Sequence, residues 1–231
     1  MGKAIYLLST GDLPGRAVRE AAKAGVVLDV LAFIATEYRE ESGEIGPLSG
    51  KALVAVFTSV NAANAVRRWV AEAKEWRVYC ISGVTCEAVV ALFGEGAVVG
   101  KAESAGELAR VIIRQESGRE IFFFCGDHRR DELPAILRGA GFGVVEEVVY
   151  RTQATPHKVE RNYDGIAFFS PSAVESFFSV NEIAAGIPLF AIGPTTTAAI
   201  RARCGNPVIT GEEPDKSILI RKMTDHFLNK R

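Results

Sequence analysis

Four short stretches of this sequence place small hydroxyl side chains or glycine where an apolar run gives way to a helical pattern. They are Thr58-Ser59, Gly83-Val84-Thr85, Ser170-Pro171-Ser172 and Gly193-Pro194-Thr195-Thr196. The first turn of a helix carries backbone N–H groups without intrahelical partners, at the positive end of the helix dipole. Each stretch is therefore suited to receive a carboxylate or phosphate without a lysine or arginine. Taken singly, Ser59, Thr85, Ser170 and Thr195 read as plain N-caps, with Pro171 and Pro194 as first-turn prolines. Taken together they read as a grip on a ligand with several anionic groups.

The reason for taking them together is that the sequence writes them twice. LVAVFTSVNAANAVRRW followed by RVYCISGVTCEAVVALFGE is answered by GIAFFSPSAVESFF followed by LFAIGPTTTAAIRARCG. Ser59 aligns with Ser170 at an offset of 111 residues, and Gly83 with Gly193 at 110. An offset near half of 231 residues points to two domains.

Composition narrows the class of function. With 48% hydrophobic and 24% charged residues and a formal net charge of −1, the chain reads as an ordinary globular protein. No global basic field exists to collect nucleic acid or an anionic membrane. The opening MGKAIYLLSTGDLPG is too short and too soon interrupted for a signal peptide, so a cytoplasmic protein is expected. Cys80, Cys86, Cys125 and Cys204 show no CxxC pairing and read as reduced thiols, mostly buried. His128, His157 and His226 lie outside any pattern with metal-ligand spacing, so no metal is expected.

The elements that must position these stretches follow from hydrophobic period. Strand Ala4–Leu8, helix Pro14–Ala24 and strand Val26–Ala35 come first, then a polar passage, TEYREESGEIGPLSG. From Lys51 strands and helices alternate: strand Leu53–Phe57, helix Asn61–Glu75, strand Arg77–Ile81, helix Thr85–Phe93, strand Ala97–Val99. Helix Ser104–Gln115, with Ser104 and Glu107 as a capping box, strand Glu120–Cys125, helix Asp131–Ala140 and strand Gly143–Tyr150 complete this run. A second polar passage, Arg151–Tyr163, precedes strand Gly165–Phe169, helix Ser172–Ser179, strand Leu189–Ile192, helix Thr195–Arg203, strand Pro207–Ile209 and helix Lys216–Leu228.

Such alternation means parallel sheets covered on both faces. Two strands and one helix are too little for a core, so the N-terminal piece needs the C-terminal half. The expected architecture is α/β with two doubly wound parallel-sheet domains: a discontinuous one, 1–35 plus 152–231, and an inserted one, 36–151. Two crossings side by side would form a hinge, and ligands of open parallel sheets bind at strand carboxyl ends, which places the expected site in an interdomain cleft.

At these residues the chain resembles the uroporphyrinogen-III synthase family. FTS before an Asn-Ala helix start, CGDHRRDELPAILRGAGFGVVEEVVYRT, FFSPSAV and AIGPTTTAAI look like that family's segments in the right order over nearly the whole chain. The resemblance implies two α/β domains joined by a two-stranded connector. It also implies a reaction: closure of hydroxymethylbilane, a linear tetrapyrrole with eight carboxylates, to uroporphyrinogen III, with loss of water and inversion of the last ring. No cofactor is implied. The terminal hydroxymethyl group ionises to an azafulvenium-like cation, the far ring attacks through its substituted carbon, and the spiro intermediate fragments and recloses.

By resemblance, Tyr150 in VVYRT is the candidate general acid for the departing hydroxyl. The other reading is a strand-end aromatic whose hydroxyl reaches water. Carried over in the same way, the substrate-binding positions are Thr58, Ser59, Gly83, Thr85, Cys86, Gly126, Ser170, Gly193, Thr195 and Thr196. Arg129 and Arg130 read as a solvated charged pair in preference to carboxylate ligands. The chain departs from the family pattern at Val60, where proline is frequent, and at Cys86, where threonine is frequent. Implied partners are the small-molecule substrate hydroxymethylbilane and transient contact with hydroxymethylbilane synthase. Neither nucleic acid nor membrane is implied, and a monomer is expected because the repeat already supplies both halves of a cleft.

Rival readings are a non-catalytic tetrapyrrole- or anion-binding sensor module of the same fold, a two-lobed solute-binding protein, and a nucleotide-binding protein. The sensor usually carries an added helix-turn-helix segment, for which 231 residues leave no room. A secretory signal would mark the second rival and is not seen. The third lacks both GxGxxG after the first strand and GxxxxGK[ST].

Overall fold

The computed structural model describes residues 4–40, 46–70, 73–118 and 120–229. The chain divides into two compact units, Met1–Ala35 with Gln153–Arg231 and Thr36–Thr152.

The contiguous unit contains strands β4 (Leu53–Phe57), β5 (Trp76–Ile81), β6 (Val98–Ala102), β7 (Glu120–Gly126) and β8 (Gly143–Ala154), with β3 (Ile34–Tyr38) beside β8. Its helices are α2 (Val60–Val66), α3 (Val84–Phe93), α4 (Ala105–Gln115) and α5 (Glu132–Gly139). The sheet order is β3-β8-β7-β4-β5-β6, and β4 pairs in parallel with both β5 and β7. Pleating sends alternate residues to opposite faces. Leu53, Ala55, Phe57 and Phe124 pack under α2 and α3, while Val54, Val56, Ile121 and Phe123 pack under α4 and α5. Near-continuous apolar runs are what a strand covered on both faces requires.

The other unit has the sheet order β11-β10-β9-β1-β2, from β1 (Ile5–Ser9), β2 (Val26–Val30), β9 (Gly165–Phe168), β10 (Leu189–Ala191) and β11 (Val208–Thr210). Its helices are α1 (Gly15–Lys23), α6 (Pro171–Phe178), α7 (Pro194–Arg201) and α8 (Lys216–Leu228). Among the described residues its strand pairings are parallel. The order β6-β5-β4-β7-β8 of the first unit reappears here as β11-β10-β9-β1-β2. The two halves of the sequence repeat thus build the same sheet, with the chain's first two strands standing where the fourth and fifth are expected.

Three elements differ from the sequence reading. The single strand read over Val26–Ala35 is two, β2 and β3, which join different sheets. Between them Leu31 N–H donates to the Ser9 carbonyl and Phe33 N–H to that of Thr10, while the Phe33 ring is fully buried. Apolar content alone carries no sign of that break. Helix α2 ends at Val66 rather than near Glu75; positions 71 and 72 of the predicted helix lie outside the described residues. Strand β8 runs on through Ala154, four residues into the passage read as polar connection. Half of the predicted capping box forms: the Ser104 hydroxyl accepts from Glu107 N–H at 3.3 Å. Part of the first polar passage, 41–45, also lies outside the described residues.

Burial leaves a pH signature in the contiguous unit. The Tyr79 hydroxyl, fully buried, donates to Glu116 at 2.7 Å; burial first, and this contact second, push its pKa up to about 12. Burial likewise holds the Cys80 and Cys125 thiols up to about 12. An unfolded chain releases these protons from about pH 9 to 10 upward, before the folded one does. The stabilisation is therefore complete below about pH 9 and is lost as pH climbs toward 12. Thermal unfolding followed by circular dichroism should show Tm falling above about pH 9, less steeply in Cys125→Ala. A flat Tm through about pH 11 would contradict the burial of these groups.

Candidate active site

In the contiguous unit the chain leaves β4 for the α2, α3 side and β7 for the β8 side, so the carboxyl ends of β4 and β7 flank the point where strand order reverses. Open parallel sheets bind ligands at such a point. A cavity of about 400 Å³ lies here, lined by residues that include Thr58, Ser59, Gly126 and Tyr150. Three helix starts border it: Ser59 before α2, Ser104 and Ala105 at α4, Glu132 and Leu133 at α5.

Ser59 has two tasks. Its Oγ accepts from Ala62 N–H at 3.1 Å, the N-cap geometry that extended backbone at this position permits, and it lies 3.2 Å from the Tyr150 hydroxyl. Tyr150 is half-buried. Burial raises its pKa above the ordinary tyrosine value; the Ser59 hydrogen bond works the other way, and the nearby Asp127 carboxylate adds to the rise. A phenol so placed is protonated at neutral pH and able to donate.

Gly126 makes room for it. A Cβ built on Gly126 would lie 2.6 Å from Cε2 and 2.7 Å from the hydroxyl of Tyr150, closer than real atoms approach. The ladder between β7 and β8 shifts register here, so that Cys125 is opposite Val148 and Gly126 opposite Tyr150. The skipped Val149 goes wholly into the core.

The cavity also carries charge of both signs. Arg129 is engaged by the Glu146 carboxylate, whose side chain is 14% exposed, and lies 3.5 Å from Asp131. Arg130 and His128 line the cavity together with Glu103 and Glu132. The Glu132 carboxylate stands over Gly106 in the first turn of α4, where a negative charge suits the helix dipole. Sequence reasoning passed over Glu103, Glu132 and His128. Their signal was faint: Glu103 precedes the Ser104 cap, His128 stands beside the Arg129-Arg130 pair read as solvated, and Glu132 falls in the first turn of the helix read over Asp131–Ala140.

The remaining candidates stand elsewhere. Gly83 caps α3 with φ +77°, a left-handed conformation that favours glycine, and Thr85 in the first turn is buried, 6% exposed. Cys86 is partly buried against the Phe57 cluster. In the discontinuous unit Ser170 Oγ caps α6 by accepting from Ala173 N–H at 3.1 Å, and Gly193 caps α7. Thr195 is exposed but Thr196 is 1% exposed. Buried hydroxyls such as Thr85 and Thr196 offer a ligand nothing from the side chain, and the first-turn N–H groups are what these two switches present.

A family model described as "HEM4: Uroporphyrinogen-III synthase HemD" matches residues 16–221. The chain belongs to this family.

Solved structures share the fold. A mutant uroporphyrinogen III synthase from Thermus thermophilus superposes with a TM-score of 0.67 at 14% identity, covering 99% of this chain and 100% of that one. The Helicobacter pylori uroporphyrinogen-III synthetase gives 0.65 at 14% identity, covering 98% and 100%. Membership of the HemD family thus rests on sequence and the likeness of fold on coordinates. Among the described residues no helix is long and apolar enough to cross a membrane.

Proposed function

We propose that this chain is a uroporphyrinogen-III synthase, a lyase that closes hydroxymethylbilane to uroporphyrinogen III with inversion of the last ring and loss of water. The observation that carries the reading is the Tyr150 phenol, kept protonated by burial and held by Ser59 among three helix starts in a member of the HemD family.

The chemistry asks for little covalent help. As the C–O bond of the hydroxymethyl group breaks, the adjacent pyrrole nitrogen supplies the electron pair and Tyr150 gives its proton to the oxygen, which leaves as water. A positioned general acid contributes about 10²–10⁴-fold. The greater task is to hold one conformation against closure without inversion, which is a matter of positioning. Acetate and propionate arms are received by first-turn N–H groups at Ser59, Gly83, Ser170 and Gly193, with Thr58, Thr85, Cys86, Thr195 and Thr196 shaping those turns and Arg130 adding a positive charge. Such a grip, spread over backbone groups, leaves few side chains individually indispensable.

The test is an isomer assay. Fresh hydroxymethylbilane is added to the pure protein, products are oxidised to porphyrins, and isomers I and III are separated by chromatography. Isomer III in excess, formed faster than the uncatalysed background, supports the synthase. Isomer I alone at the background rate, from a folded protein, overturns it in favour of a non-catalytic binding module.

A further inference from the structure

We infer that Asp127 is a positioning residue for the Tyr150 phenol, holding the end of β8 in the one register that sets the ring over Gly126 and within reach of Ser59.

The inference rests on the proposed role of Tyr150 and begins with a difficulty in the β7–β8 ladder. The register shift at Cys125/Gly126 skips one residue of β8, and such a bulge can stand at more than one place along a strand. A slip by one residue reverses which side chains face which way. Here it would take Val149 away from the cluster of Phe57 and Phe124 to the opposite face of the sheet and move the Tyr150 ring off Gly126. Backbone pairing alone does little to prevent this, because Gly126 is the last residue of β7.

Asp127 supplies what the strand no longer does. Its N–H donates to the Tyr150 carbonyl at 3.2 Å, continuing the ladder by one step. Its Oδ1 then accepts from Thr152 N–H at 3.1 Å, two residues beyond the tyrosine, and from His128 N–H at 3.0 Å. Main chain and side chain of one residue thus grip β8 on either side of Arg151, at Tyr150 and Thr152. The carboxylate does the work of a backbone acceptor at a place where the chain has already turned away from the sheet. Only a side chain with an acceptor on its γ-carbon repeats that contact, so asparagine preserves it and alanine removes it.

The experiment uses full-length protein with Asp127→Ala, Asp127→Asn and Tyr150→Phe, each checked by thermal melt. It has two readouts, turnover to isomer III and the ¹⁹F spectrum of protein made with 3-fluorotyrosine. The chain has five tyrosines, and Tyr150→Phe assigns the resonance of interest. Expected for Asp127→Ala are a fall in kcat of about tenfold with KM changed by less than about twofold, and a shifted or broadened Tyr150 resonance. Asparagine should restore both, and Asp127→Ala should cost nothing further on top of Tyr150→Phe. Equal losses in alanine and asparagine, equal losses with and without Tyr150, or an unmoved resonance in Asp127→Ala would each overturn the inference. Should Tyr150→Phe itself leave turnover unchanged, the acid role fails, and the resonance alone decides whether Asp127 positions the ring.

Discussion

Tyr150→Phe lowers kcat for isomer III by about 10²-fold or more while KM stays within about threefold. The phenylalanine ring keeps the packing against Gly126 and loses the proton and the 3.2 Å contact with Ser59. Loss of one half-buried hydrogen bond costs about 1 kcal/mol, so the variant folds and binds, and the deficit falls on the step in which the hydroxyl departs. Single-turnover kinetics with hydroxymethylbilane separate that step from release. Because burial raises the phenol pKa, the wild-type rate carries no tyrosine-dependent decline at or below about pH 9. A Tyr150→Phe protein that turns over at the wild-type rate would remove the phenol from the mechanism and leave conformational control as the whole of catalysis.

Gly126→Ala is expected to act through the same ring. The methyl group would need space that Cε2 and the hydroxyl of Tyr150 occupy, at 2.6 and 2.7 Å. Backbone conformation is no obstacle, since Gly126 is not among the glycines with positive φ. Either β7 moves, which Phe124 and the neighbouring strands resist, or the tyrosine swings away from Ser59. The expected result is a kcat within about threefold of Tyr150→Phe and a stability loss of about 1–3 kcal/mol from overpacking. The decisive comparison is the double-mutant cycle: with Tyr150→Ala in place, adding the Gly126 methyl should cost almost no stability. Wild-type kcat in Gly126→Ala would mean that the ring position seen here is not the reactive one.

Much of this was legible in the sequence, for identifiable reasons. LVAVF, EIFFFC and GIAFF each lack the polar alternation of a half-exposed strand, and each is covered on both faces. Ser59 and Ser170 were recognisable as caps because a small hydroxyl residue stands directly before each helical period. What the sequence concealed depends on long-range pairing. The split of VVLDVLAFIA between two sheets follows from hydrogen bonds of Leu31 and Phe33 to Ser9 and Thr10, partners more than twenty positions away. Along the extension of β8, Thr152 N–H donates to the Asp127 carboxylate, a partner 25 positions away that the local sequence RTQA does not announce. In the site, Thr58, Ser59, Gly126 and Tyr150 were all named in advance, yet the acidic groups Glu103 and Glu132 that share their cavity are ordinary helix-start carboxylates until the sheet brings them together.

The permuted strand order has a consequence for the nascent chain. β1 lies between β2 and β9, and its partner residues on β9 are 158 positions later, as Leu7 with Gly165 shows. Until the ribosome has delivered β9, the opening piece of the protein has an apolar strand with one open edge and no completed core to bury it. The contiguous unit meets no such delay, because all the strands from β4 to β8 emerge in succession. Synthesis from the N-terminus therefore allows the half carrying Tyr150 to fold first, while the opening segment waits, its closure costing the entropy of a long loop that an already folded domain has shortened.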